Sequence, residues 1–167
     1  MSDDGLRTLR GELELDVERL DALEAKYRLV KAKLARIEPD EFDLVALAHA
    51  ITNLYGIMEN SFTRIAKHFE NQVDPATWHK DLIMRMMIRV PGVRPAVLTT
   101  DQAKLIDQLR SFHHVFRHIY LDDLDPDRLA LLDSRTPSAV AAFRSAHEVF
   151  AAALDSMIAA LDTAPES

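Results

Sequence analysis

Ten residues near the start of the chain, Leu6, Leu9, Leu13, Asp16, Leu20, Leu23, Tyr27, Val30, Leu34 and Ile37, fall on strict a and d positions of a heptad, and nine of the ten are apolar. Only a helix with one buried seam satisfies that period over such a length. It predicts a helix from about Leu6 to Ile37, used either as a long bundle helix or as a dimer arm. Asp16 is the exception within the seam and leaves two readings, a solvent-facing position or a specific polar partner.

The remainder keeps a helical period. Pro39, with Asp40, Glu41 and Asp43 at the positive end of the dipole, opens a second helix reaching about Asn71. Its stripe is Leu44, Leu47, Ile51, Leu54, Met58, Phe62, Ile65 and Phe69, interrupted by Gly56. Asp74-Pro75 opens a third helix to about Arg89, in which Met84, Met86 and Met87 read as core filler. Val90-Pro-Gly-Val-Arg-Pro95 is a loop flanked by Arg89 and Arg94, which are either solvated or available to an anion. Thr99-Thr-Asp-Gln102 resembles a capping box. Asp125-Pro126 opens a short helix to about Asp133, and Thr136-Pro137 opens a last one to about Leu161 with the stripe Val140, Phe143, His147, Phe150, Leu154, Met157 and Leu161. His147 within that stripe reads as a core or interface histidine. Only four glycines occur and no alternating stretch marks a strand. The expected fold is all-α, an antiparallel bundle of about five main helices in a single domain over 1–167, with a frayed tail at 162–167.

The helix launched at Thr99 carries the chemistry. Leu105, Leu109, Phe112, Phe116 and Ile119 form its core stripe; Arg110, His113, Arg117 and Tyr120 lie beside it, and His114 and His118 on the far side. Histidine exchanges protons near neutrality and arginine grips phosphate in a planar fork, a pairing suited to a phosphodiester. The bland alternative is a solvated face or histidines satisfied inside a bundle. Formal net charge is −7, yet residues 79–120 hold 7 Lys+Arg against 3 Asp+Glu and four of the seven histidines. That island is either a local anion site or a sequence block with no spatial counterpart.

Other chemistries are limited. The absence of cysteine excludes disulfides, thiolate metal sites and cysteine nucleophiles. No signal peptide is readable, and no apolar run approaches the ~18 residues of a membrane span, so a cytoplasmic protein without a membrane partner is expected. Paired Glu-x-x-His motifs, His-Glu-x-x-His, G-x-S-x-G and Gly-rich phosphate loops are all missing. No cofactor is expected. His114, His118 and Asp122 recur every four residues, a weak pattern for a metal-binding bundle.

Tyr55-Gly-Ile-Met-Glu59, Trp78-His79-Lys-Asp-Leu82, Pro91-Gly-Val-Arg-Pro95 and Phe116-Arg-His-Ile-Tyr120 follow one another in the order found in HepT-like proteins of the HEPN superfamily. The resemblance covers roughly residues 5–160. It implies a compact helical bundle that forms a homodimer and acts as a metal-independent endoribonuclease. It also implies the toxin half of a type VII-like toxin–antitoxin pair, partnered by a minimal nucleotidyltransferase (MNT) antitoxin. The family motif is Arg, four to six residues, His, one residue, Tyr. His118 and Tyr120 match its end, and His114 fits the polar position after the arginine. His113 stands where the arginine is expected, and Arg110, with seven intervening residues, is outside the pattern. The resemblance therefore assigns acid/base work to His118, RNA phosphate contact to Arg110 or Arg117, and nucleotidylation by the partner to Tyr120. His113 is either a second acid/base group or a degenerate position. A noncatalytic module that binds a nucleotidyltransferase is the alternative function.

Overall fold

Five helices dominate the computed structural model, which describes residues 3–70, 78–116 and 124–163: α1 (Asp3–Leu34), α2 (Glu41–Phe69), α3 (Trp78–Met87), α4 (Thr100–Phe116) and α5 (Pro126–Asp162). No strand occurs among the described residues; a single antiparallel bridge joins Val90 to Arg94. The all-α bundle is as the sequence implied.

The heptad seam of α1 is buried along its length. Leu6, Leu9, Leu13, Asp16, Leu20 and Tyr27 are all buried, and Leu23, Val30 and Leu34 lie half-buried against the same core. The helix stops at Leu34, short of Ile37, which is exposed. Asp16 does not face solvent. It is fully buried, accepting a hydrogen bond from Ser61 Oγ at 3.0 Å and another from Arg64 Nε at 3.0 Å. Those contacts, with Arg64 to Glu12 at 3.2 Å and Lys33 to Asp43 at 2.6 Å, run α1 antiparallel to α2.

α2 begins two residues later than the proline suggested. Asp40 is its N-cap, accepting from the Asp43 N–H at 2.9 Å while Asp43 accepts from the Asp40 N–H at 3.3 Å. This reciprocal box satisfies two otherwise orphaned amides. α2 packs against all four other helices and buries Leu47, Ile51, Leu54, Tyr55, Met58, Phe62 and Ile65. Edge-to-face pairs Phe62–Phe143 at 5.7 Å and Phe69–Phe150 at 6.3 Å align α5 with it in parallel. α1 meets α5 antiparallel through Arg7–Asp162, Arg10–Asp155 and Arg144–Glu24.

α5 differs from expectation. Instead of two helices broken at Thr136-Pro137, one helix runs from Pro126 to Asp162 with Pro137 inside it. Proline cannot donate to the carbonyl four residues back, here Asp133. The Tyr27 hydroxyl comes to this turn: it donates to the Asp133 carboxylate at 2.5 Å and lies 3.2 Å from the Asp133 carbonyl. The heptad tyrosine thus ties the turn before the proline to α1. Buried Thr136 bonds back to the Leu132 carbonyl at 3.0 Å. The methionines of α3 also divide: Met86 is buried and Met87 partly so, but Met84 is exposed. The Asp74-Pro75 opening of α3 lies outside the described residues.

The Asp16 contacts generate a stability prediction. Asp16→Ala leaves Ser61 and Arg64 without their buried acceptor and should cost about 3 kcal/mol. Arg28→Ala removes an exposed i,i+4 pair to Glu24 and should stay within about 0.5 kcal/mol. Urea denaturation of both variants checks the contrast, and equal losses would contradict it.

Candidate functional site

α4 starts where the sequence placed it. Gln102 Oε1 accepts from the Thr99 N–H at 2.9 Å, and Thr99 Oγ1 accepts from the Gln102 N–H at 3.3 Å. Its core face is wider than the expected stripe. Ala103, Ile106, Leu109 and Phe112 are buried, whereas Leu105 and Phe116 are only partly so. The reason is its position between α2 and α5, which both cover it; a helix held on two sides buries a broader arc than one stripe. Phe112 and Phe116 stack at 5.7 Å near its end.

That geometry settles where the described site residues stand. His113 is half-buried with both ring nitrogens shielded from solvent, and its ring lies 5.2 Å from that of Tyr55 on α2, tilted by 55°. Tyr55 is itself buried. Burial pushes its hydroxyl well above the usual phenol range; Glu59 and Asp107 add to the shift and Arg110 opposes it. Arg110 is half-buried one turn away, its Nε donating to the Asp107 carboxylate and its Nη2 standing 3.5 Å from Ser111 Oγ. The hydrogen bond to Asp107 raises the guanidinium pKa further, so this cation is permanent. His114 is exposed on the other side of the helix. Arg117, His118, Tyr120 and Asp122 lie outside the described residues, as do the side chains of Trp78 and His79. Of the possible metal set His114, His118 and Asp122, only His114 is described, and among the described residues no group of three or more His, Cys, Asp or Glu could hold a metal ion.

The loop before α4 overturns one expectation. Pro91-Gly92 forms a tight turn closed by the Val93 N–H on the Val90 carbonyl at 3.0 Å, with Gly92 at φ 74°. This is a conformation that favours glycine. The turn folds Arg94 inward rather than toward an anion. Arg94 is buried, donating to the carbonyls of Ile88 at 2.9 Å and Arg85 at 3.0 Å and to the Glu70 carboxylate. Arg85 holds the other Glu70 oxygen at 2.9 Å. Two cations of the basic island are therefore structural. His147 is half-buried beside Phe143, and burial, reinforced by Arg10, lowers its pKa. It belongs to the core, as its stripe suggested.

Sequence reasoning missed Tyr55 as the residue beneath His113, although its place next to Leu54 on the α2 stripe could have marked it. It also missed Arg128 and Arg135, which line a groove with Gln108 and Ser111 of α4. A groove of about 630 Å³ lies elsewhere, between α1 and α2, where Arg64 is already bound to Asp16 and Glu12.

A family model described as HepT-like protein matches residues 46–154, which runs from the second turn of α2 through most of α5 and includes the His118-Ile-Tyr120 segment. α1 lies outside the match. No curated protein and no solved structure matches the chain.

The packing of His113 on Tyr55 predicts that His113→Ala lowers stability by about 1–2 kcal/mol, through the lost ring contact and a small void. His114→Ala, at an exposed position, should stay within about 0.5 kcal/mol. Thermal or urea denaturation reads both; equal effects would show that His113 is not held in the α2–α4 seam.

Proposed function

The chain belongs to the HepT-like protein family, and from that premise we propose that it is the RNA-cleaving toxin of a toxin–antitoxin pair. In this reading it is a metal-independent endoribonuclease that works as a homodimer of single-domain chains, with an MNT-type nucleotidyltransferase as antitoxin. The observation that carries the reading is the family match itself, whose span includes α4 and the His118-Ile-Tyr120 segment that follows it.

The chemistry follows from residue types. His118 takes the proton from a ribose 2′-OH, whose oxygen bonds to the adjacent phosphorus. The bond from phosphorus to the 5′-oxygen breaks, and that oxygen takes up a proton from water as it leaves, giving a cyclic phosphate and a 5′-hydroxyl, while His118 releases its proton to solvent. Histidine suits this exchange near neutral pH. Arg110 and Arg117 stabilise the charge that grows on the phosphate. Tyr120 is the acceptor through which the partner would block the toxin by nucleotidylation. His113 packs on Tyr55 with its ring nitrogens shielded from solvent, which favours a degenerate motif position over a second proton-transfer group.

No helix among the described residues is long and apolar enough to cross a membrane, and a cytoplasmic RNA substrate is part of the proposal. RNA cleavage by the purified protein should persist in EDTA and fall at least a hundredfold in His118→Ala. Cleavage abolished by chelator, or an undiminished His118→Ala variant, would defeat the assignment.

A further inference from the structure

Arg128 and Arg135 are seven residues apart, about two helical turns, so the unbroken α5 presents both on one face. Opposite them α4 presents Gln108 and Ser111, and the two helices enclose a groove of about 250 Å³. Among the described residues that line it, the one carboxylate, Asp107, is engaged by Arg110. The nearby Asp125 caps α5 by accepting from the backbone N–H groups of Asp127 and Arg128 at 3.0 and 3.3 Å, and Asp127 lies beside Arg128 in the same first turn. Arg135 donates at 3.2 Å to the neutral amide of Gln108, so its charge is uncompensated there. Both arginines are exposed. One wall is apolar: Leu131 between them is 52% exposed, and Phe112 lies beneath.

We propose that this α4–α5 groove is a binding site for single-stranded RNA, with Arg128 and Arg135 on successive phosphates and Leu131 against the face of a base. The inference rests on the RNA-directed reading above and adds the surface that seats the substrate. The groove offers two cations, hydrogen-bonding groups and an apolar wall in one place, which suits an unstacked nucleotide. A duplex, whose bases are turned inward, meets only the cations. The acidic chain, net −7, restricts nucleic acid to such a local site.

The test is fluorescence anisotropy with a short, labelled, 2′-O-methylated single-stranded RNA that cannot be cleaved. Arg128→Gln with Arg135→Gln should weaken binding about tenfold or more. It should also reduce the slope of log affinity against log salt by about 1.4, at ~0.7 per phosphate contact on a single strand. Lysine at both positions should recover most of the affinity. The same charge loss at exposed Lys26 and Arg36 should leave binding within about twofold, with circular dichroism reporting equal folding throughout. A wild type that binds while the double glutamine variant binds equally well overturns the groove and leaves the RNA reading standing. An equal loss from the Lys26/Arg36 control also overturns it, since bulk charge then explains the binding. A wild type that binds no RNA overturns both.

Discussion

The buried carboxylate of Asp16 sets the register of α1 on α2, and α2 is the helix on which every other one packs. A burial of this kind tolerates no slippage, because a shift of one turn would leave Asp16 without Ser61 and Arg64 in an apolar seam. Ser61 lies six residues from Tyr55 on α2, so the rotation that brings Ser61 to Asp16 also fixes where Tyr55 meets α4. The position of His113 over the Tyr55 ring is thus set from a contact on the other side of the bundle. The same helix α1 serves α5 through Tyr27, whose hydroxyl donates to the Asp133 carboxylate one turn before Pro137. α1 lies outside the family match yet packs on α2 and α5, the two helices that cover α4.

Charge is distributed by function rather than by sequence block. Arg85 and Arg94, from the basic island, close on Glu70 and hold the loop between α3 and α4 in place. Arg110 is fixed by Asp107 on its own helix. The exposed arginines that line the α4–α5 groove, Arg128 and Arg135, come from outside that island, from α5. In the proposed reading, two arginines in one groove of an acidic chain favour a short strand over an extended duplex, because the long-range field repels what the local site attracts.

Most of the fold was legible in the sequence because it is written in period. The α1 seam, the α2 stripe and the Thr99–Gln102 box all stand where apolar spacing and capping chemistry put them. Pro137 misled for a physical reason: proline ends a helix unless packing holds the turn around it, and here Tyr27, over a hundred residues away, ties that turn to α1 through the Asp133 carboxylate. The error hid the site as well, since Arg128 and Arg135 share a face only if α5 is continuous. Arg94 misled because a loop arginine reads as solvated, while the Pro91-Gly92 turn that buries it acts through three-dimensional closure. His113, Arg110 and His114 are where the helix register placed them. Arg117, His118 and Tyr120 rest on the motif resemblance alone.

The central claim is that this chain cleaves RNA with apparatus carried at α4, where His113 is a packed position and His118 moves the proton. Single-turnover cleavage of a labelled RNA by wild type and His113→Arg tests it most directly, with circular dichroism to establish equal folding. Arginine restores the family spacing and a permanent bidentate cation, a contact worth up to about a hundredfold or more in rate. The account predicts that His113→Arg cleaves as fast as wild type or faster. Cleavage abolished by arginine, which exchanges no proton near neutrality, would contradict it and make His113 itself a proton-transfer group.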